Sequence, residues 1–309
     1  MTIRIGTRSS ALAMWQAEQA QSLLRASGYQ TEIVCIQSQG DLKLDQPIYA
    51  MGITGVFTKA LDTALINDQI DVAVHSLKDV PTELPQGLKL TACLPRGEHE
   101  DIVVYKDLDF WYETHRTVAT GSLRRQAFWH NRFPDDKIVD LRGNVQLRIK
   151  KLKENKDWDA AIFAKAGLAR TGILGQLHDE HQLYYDDLNF MVSAPSQGIV
   201  GLVSREDLDL QHLSHVNSAR AANIERTFLN HMQAGCTAPI GCFVDFYEDS
   251  ILANAAVLSV DGSKLIQFDE RFTTETDDEI VEKMLKDLRA QGADMVVAEM
   301  RNQMAELKS

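Results

Sequence analysis

The chain has no apolar run long enough to span a bilayer as a helix, so no membrane segment is expected. Cysteine is scarce. The four thiols, Cys35, Cys93, Cys236 and Cys242, fit no zinc spacing, and a chain of 309 residues needs no disulfide staple. Reduced thiols are expected, with Cys35, Cys93 and Cys242 as small core residues. Positive charge is in deficit: 32 Lys and Arg stand against 44 Asp and Glu, a net charge of −12, which argues against nucleic-acid binding. Met1-Thr2-Ile3-Arg4-Ile5-Gly6 has no basic segment leading into an apolar one, so no secretory signal is read and the cytoplasm is the expected compartment. Neither an internal repeat nor a low-complexity run is present. His178-Asp179-Glu180-His181 has a spacing that could hold a metal, but it reads as a surface turn, and no metal is expected.

What is present is an ordinary globular composition, 44% hydrophobic and 25% charged, in a chain longer than a single core usually grows, so two or three domains are expected. Short apolar runs alternate with helical spacing. Ile3-Arg4-Ile5 leads through Gly6-Thr7-Arg8-Ser9-Ser10 into a helix over 11–26, with Ser10 as a candidate N-cap. Strands are expected at 31–36, 71–74, 88–92 and 102–105, and a helix over 57–66 with Phe57, Leu61 and Leu65 on one face. A second unit begins near Asp101, where Thr117-Val118-Ala119, Lys137-Ile138-Val139 and Ala160-Ala161-Ile162-Phe163 each run into a turn and a helix. That alternation predicts mostly parallel sheets. A further strand is read at 200–203. From about Ser218 a long helix precedes three alternating strands and two closing helices, the order of a small α+β domain.

The charge is uneven. Residues 116–170 carry 13 Lys and Arg against 6 Asp and Glu, a surplus of seven, which leaves −19 on the remainder. Lys150, Lys151, Lys153 and Lys156 suit a solvated helix face. The arginines instead stand at strand-to-helix junctions, in Ser122-Leu123-Arg124-Arg125 and Leu141-Arg142-Gly143-Asn144-Val145, with Arg148 beyond. Such turns offer free N–H groups and the positive end of a helix dipole, and arginine grips carboxylates through two parallel hydrogen bonds. Arg8, Arg124, Arg125, Arg142, Arg148 and Arg170 could together hold several carboxylates, or each could pair with an internal aspartate. Asp79 follows Lys78 at the carboxyl end of an expected strand, where ligands of open α/β sheets sit; it is either a turn aspartate or a carboxylate facing a cationic intermediate. Cys236, in Ala234-Gly235-Cys236-Thr237-Ala238-Pro239, is the candidate nucleophile.

Taken together these strings resemble the hydroxymethylbilane synthase (porphobilinogen deaminase) family over nearly the full length. The resemblance rests on Gly6-Thr7-Arg8, Phe57-Thr58-Lys59, Ala73-Val74-His75-Ser76-Leu77-Lys78-Asp79-Val80-Pro81-Thr82, Ser122-Leu123-Arg124-Arg125, Leu141-Arg142-Gly143-Asn144-Val145, Ala166-Gly167-Leu168, Gln197-Gly198, Glu225-Arg226 and Gly235-Cys236. It implies a transferase that joins four porphobilinogen molecules head to tail, releasing ammonia each time, on a dipyrromethane cofactor bound by a thioether. Cys236 would be the attachment cysteine and Asp79 the catalytic aspartate, stabilising an azafulvene cation. Arg8, Ser10, Lys59, Lys78, Thr120, Ser122, Arg124, Arg125, Arg142, Arg148, Arg170 and Gln197 would line the cofactor and substrate site. The implied fold is α/β, with two doubly wound domains like those of periplasmic binding proteins plus a small α+β C-terminal domain. The expected division is 1–97 with 195–214, then 101–192, then 218–309, with hinges near 95–101 and 193–196. A monomer is expected, its product passing to a uroporphyrinogen III synthase.

Some residues depart from the family strings. Gly121 stands where a serine is common, Ala234 and Ser196 where glycines are, and Glu100 where an arginine is often found. Two other classes fit parts of the pattern. A ligand-sensing binding module would make Cys236 dispensable; an acyl- or amide-transfer enzyme would need a histidine beside its sulfur, and no motif points to one.

Overall fold

The computed structural model describes residues 2–37, 58–233 and 238–306. Chain order begins with β1 (Thr2–Thr7), α1 (Ala11–Ala26), β2 (Gln30–Cys35), α2 (Lys59–Ile66), β3 (Val72–Ser76) and β4 (Leu88–Cys93). After a crossing come β5 (Asp101–Tyr105), β6 (Thr117–Ala119), α3 (Leu123–Arg132), β7 (Lys137–Val139), α4 (Val145–Glu154), β8 (Ala160–Ala164), α5 (Lys165–Arg170), α6 (Ile173–Gln176) and β9 (Tyr184–Asp187). The chain then returns to add β10 (Val200–Arg205) to the first sheet. It ends with α7 (Val216–His231), β11 (Ile240–Phe246), β12 (Ile251–Leu258), β13 (Leu265–Phe272), α8 (Asp277–Ala290) and α9 (Ala293–Glu306).

Two α/β sheets and one small antiparallel sheet result, in the orders β2-β1-β3-β10-β4, β7-β6-β8-β5-β9 and β11-β12-β13. Both larger sheets are doubly wound because their strands are apolar on both faces. Val72 and Val74 of β3 pack with Ala17, Ala20 and Leu24 of α1, while Ala73 between them packs with Leu61 and Leu65 of α2. Likewise Val103 of β5 faces Phe128 and Trp129 of α3, and Ile102 and Val104 face Ile149 and Leu152 of α4. Each such fully buried aliphatic side chain contributes on the order of 1.5–3 kcal/mol. In the third unit α7, α8 and α9 cover one face of the small sheet through Ile224, Phe228, Met284, Leu288 and Val297. Its other face gives Ala256 and Leu258 to the core of the second unit.

Two expectations need correction. The sheets are mixed rather than mostly parallel: β10 runs antiparallel to β3 and β4, and β5 antiparallel to β8 and β9. Strand–helix–strand alternation dictates parallel neighbours only where a helix makes the crossover, and β5 and β10 are the strands that enter a sheet directly from the other unit. Cys35 is exposed on the edge strand β2, whereas Cys93 and Cys242 are buried as expected. An edge strand has no neighbour to cover its outer face.

The two crossing segments are laced together. The Gly97 N–H donates to Gly198 O at 3.0 Å, and Gln197 Nε2 and Ser193 Oγ both donate to His99 O, at 2.6 and 2.8 Å. Gly198 has φ +85°, and a Cβ there would lie 2.7 Å from Glu98 O, so this close approach requires glycine. From the third unit, Glu225 of α7 reaches into the same crossing. Its carboxylate accepts Arg96 Nη2 at 2.8 Å, the Ser196 N–H at 2.5 Å and the Val244 N–H at 2.7 Å. Burial pushes the Glu225 carboxyl up, against Arg96 and the two amides.

Ser196 itself holds φ +64°, a left-handed conformation that costs a non-glycine residue roughly 1–2 kcal/mol. Its buried Oγ finds no hydrogen-bond partner among the described residues. Ser196→Gly removes both penalties and restores some unfolded-state entropy. It is expected to raise stability by about 1 kcal/mol in thermal or urea unfolding; a variant less stable than the parent would contradict the strain argument.

Candidate active site

The site forms where β3 ends. Buried Leu77 anchors a 3-10 turn, Leu77–Asp79, and its N–H donates to Ile199 O at 2.9 Å. Lys78 and Asp79 therefore project, half-buried, from the carboxyl end of a central strand, toward the second unit. Lys78 Nζ donates to Gln197 Oε1 at 3.0 Å, and Gln197 Nε2 in turn donates to Asp101 Oδ1 at 3.0 Å. Burial pulls the Lys78 ammonium down to about 8, with Arg125 adding repulsion, while Asp79 and Asp101 oppose the shift.

From the second unit, α3 delivers two arginines at its N-terminus, capped by Ser122, whose Oγ accepts the Arg125 N–H. Both guanidinium groups are engaged internally. Arg124 meets Asp101 Oδ2 at 2.6 Å and donates to Val192 O at 2.7 Å. Arg125 donates to Asp101 Oδ1 through Nε and Nη2 at 3.0 and 2.8 Å, and to Ile162 O at 3.2 Å. Burial alone would raise the Asp101 carboxyl, yet Arg124 and Arg125 hold it well below the usual carboxylate range. The pairing with an internal aspartate left open above is thus realised for these two.

Arg142 and Arg148 differ. Arg142 is buried at the turn after β7, and burial lowers it despite Asp140. Arg148, on the first turns of α4, donates Nε to Gly143 O at 2.7 Å and is pulled down to about 10, first by burial and then by Arg125, with Arg142 adding to the repulsion. Asp79 lies close enough to favour the charged forms of both Lys78 and Arg148. Arg125 thus repels both Lys78 and Arg148, Arg142 adds to the repulsion at Arg148, and Asp79 only partly offsets it. A positive potential of this kind suits a ligand with several carboxylates. The donor set suits a cofactor made of pyrroles that carry several carboxylates.

The remaining predicted residues fall around this centre or away from it. Ser10 caps α1, accepting the Ala13 N–H at 3.3 Å, and Arg8 lies near His75. Thr120 is buried and its Oγ1 accepts the Ser122 N–H at 3.3 Å. Lys59 is exposed at the start of α2. Arg170 is drawn into the crossing instead: Nη2 donates to Gly198 O, the guanidinium stacks 5.3 Å over Trp15 of α1, and burial lowers it to about 10. Cys236 and Ala234 lie outside the described residues, in the sequence between α7 and β11. A groove of about 650 Å³ lies between β4 and α7, lined by Leu90, Cys93, Ala219, Thr82 and Arg226, and holds neither Lys78, Asp79 nor the arginines of α3 and α4.

Three residues of the site escaped the sequence reading. Asp101 was read only as the start of a unit, although an acid opening the apolar run Ile102-Val103-Val104 signals a buried charge in need of partners. His75 is buried, kept neutral first by burial and then by Arg8, which together bring it to about 3, and its Nε2 has no hydrogen-bond partner among the described residues. Arg226 donates to the carbonyls of Val80 and Pro81 beside Asp79.

Comparison with known proteins shows the family. Residues 3–212 match the family described as porphobilinogen deaminase, dipyromethane cofactor binding domain, and residues 219–290 match the porphobilinogen deaminase C-terminal domain. The chain is 38% identical over 270 residues to a probable porphobilinogen deaminase of Methanocaldococcus jannaschii, covering 85% of this chain and 90% of that one. It is 40% identical over 276 residues to the porphobilinogen deaminase of Nitratiruptor sp., covering 86% of each, and 37% identical over 273 residues to that of Trichlorobacter lovleyi, again covering 86% of each. With a cation-lined cleft at the end of β3 and both family descriptions matched across it, the chain belongs to the porphobilinogen deaminase family, transferases with a dipyrromethane cofactor binding domain.

Proposed function

We propose that this chain joins four porphobilinogen molecules head to tail, releasing one ammonia per step, to give hydroxymethylbilane, on a dipyrromethane held by a thioether to Cys236. The observation that carries this reading is the juxtaposition of one carboxylate, Asp79, with two cations, Lys78 and Arg148, each of which Arg125 repels. Each porphobilinogen brings two carboxylates and a pyrrole that becomes positive as ammonia leaves, so both signs of charge find a partner. When bound, the cofactor supplies the nucleophilic pyrrole carbon that starts the chain.

The chain's own residues have separable tasks in this reading. Lys78, Arg142 and Arg148 hold acetate and propionate groups, and Arg8 and the turns capped by Ser10 and Ser122 extend the carboxylate path. Once those carboxylates neutralise the cations, Asp79 faces the pyrrole nitrogen alone. A carboxylate about 4 Å from a unit positive charge at an effective dielectric of about 20 stabilises it by about 4 kcal/mol, roughly a thousandfold in rate. Arg124 and Arg125 shape the cleft through Asp101, and Arg170 braces the crossing; neither task requires contact with substrate. Chain growth needs room, and the laced pair of crossings near 95–101 and 193–196 is the hinge about which the two α/β units part. The same reading makes the chain a cytoplasmic monomer whose product passes to a uroporphyrinogen III synthase.

Intact mass tests the anchor: the purified protein is expected to exceed its sequence mass by two linked pyrrole units, and Cys236→Ala is expected to lack that excess. A parent protein of bare sequence mass that still forms product would overturn the reading. Asp79→Asn is expected to keep the fold and lose about a thousandfold in turnover, checked by product formation alongside a thermal melt; near-parent activity would remove Asp79 from the chemistry. Lys78 supplies a pH test. Its proton, held to about pH 8, is needed for carboxylate binding, so KM for porphobilinogen is expected to rise as pH climbs through 8. Lys78→Arg stays charged and is expected to move that rise to higher pH; an identical profile in the variant would exclude Lys78 as its source.

A further inference from the structure

The segment that follows Asp79 is held from outside its own unit. Val80, Pro81 and Thr82 each turn a carbonyl toward the guanidinium of Arg226: Nη1 donates to Val80 O at 2.9 Å, and Nη2 to Pro81 O at 2.6 Å and Thr82 O at 3.3 Å. Three successive carbonyl dipoles converging on one point repel one another, so a fork of N–H donors stabilises the conformation. Pro81 adds to the demand, since it offers an acceptor and no donor. The guanidinium comes from α7, the helix that runs toward the Cys236 segment, and the preceding residue, Glu225, grips the crossing through Arg96, Ser196 and Val244.

We propose that Arg226 is a positioning residue for Asp79, fixing the backbone that leaves Asp79 and thereby where that carboxylate stands relative to Lys78 and Arg148. The proposal rests on Asp79 being the catalytic carboxylate. Val80 is buried and its N–H closes the 3-10 turn onto Leu77 O at 3.1 Å, so displacement of Val80–Thr82 is passed directly into the turn that aims Asp79. A shift of about 1 Å in a catalytic group can cost on the order of a hundredfold in rate, while Arg142 and Arg148 lie on other elements and Lys78, though in the same turn, keeps its tie to Gln197 Oε1 at 3.0 Å. A residue acting this way lowers kcat and leaves KM alone.

The test uses the cofactor-loaded enzyme. Arg226→Gln and Arg226→Lys are purified, their loading is measured by intact mass, and kcat and KM for porphobilinogen are expressed per loaded molecule. Arg226→Gln is expected to lose about tenfold or more in kcat with KM within about twofold of the parent, and Arg226→Lys, which keeps the charge but not the fork, to fall between. Placed on top of Asp79→Asn, Arg226→Gln is expected to cost little further, because the group it positions is already gone. A parent-like kcat per loaded molecule in Arg226→Gln, or an undiminished further loss in the double variant, overturns the proposal while leaving Asp79 in its role. An Asp79→Asn enzyme that turns over normally removes the reading beneath it instead. Should Arg226→Gln fail to fold, Arg226→Lys carries the measurement, and a parent-like kcat there is the overturning result.

Discussion

One buried carboxylate organises the cleft. Asp101 sits at the first residue of β5, just past the crossing, and takes Arg124 on one oxygen and Arg125 on the other, while Gln197 links it to Lys78. A single anion thus serves two guanidinium groups of the second unit and, at one remove, an ammonium of the first. Pairs of this kind add little to net stability compared with an apolar core, because desolvation of the charges offsets their attraction. Their effect lies in geometry. With Arg124 and Arg125 immobilised, the turn before α3 and the neighbouring Arg148 have a fixed frame against which Lys78 and Asp79 are set.

That division of labour separates cations that look alike in sequence. Arg124 and Arg125 share one carboxylate, Asp101, which fixes their guanidinium groups in place but leaves the pair with a net positive charge, felt by Lys78 and Arg148 through Arg125. Lys78 and Arg148 are pushed below their ordinary values by burial and by other cations, which marks positive charge without enough negative charge around it. A bound polycarboxylate relieves that imbalance and an apolar ligand does not. In the proposed function, selectivity for acidic pyrroles follows from the residual field rather than from the number of basic side chains, and the overall charge of −12 opposes bulk polyanions.

Much of this was legible in the sequence because local rules and family strings agreed. The helix expected over 11–26 is α1, with Ser10 as its cap, and the strand–turn–helix junctions at Ser122 and Asn144 are where side-chain caps close α3 and α4. Long-range pairing was less legible. Nothing in the spacing of Ile102-Val103-Val104 or Val200-Gly201-Leu202 says that these strands run against their neighbours, since direction depends on where the chain crosses between units. Nor does a row of arginines say which of them a distant aspartate will claim. The family resemblance puts Arg170 among the binding groups; that it also donates to Gly198 O and stacks on Trp15, because α5 packs beside α1, is a tertiary contact its own string does not reveal.

The departures from the family strings have separate physical readings. At Gly121 a Cβ would lie 2.8 Å from Leu141 O and 3.0 Å from Asp140 Oδ1, so the turn before α3 has closed onto the strand-end beside it. A hydroxyl could not be returned there without moving the backbone that presents Arg142. At Glu100 an acid replaces a common arginine, beside His99, with Glu98 and Lys165 near; Lys165 Nζ sits 2.9 Å from Asp187 and 3.9 Å from Glu98. Burial draws the Lys165 ammonium down, but Asp187 and then Glu100 and Glu98 raise it further, so the local charge is balanced from α5 rather than from the crossing itself. Both changes alter which element supplies a charge and leave Asp79, Lys78 and Arg148 where they were. A cleft built on residual potential tolerates such exchanges, because its selectivity depends on the sum of charges facing the ligand and only weakly on which backbone segment carries each one.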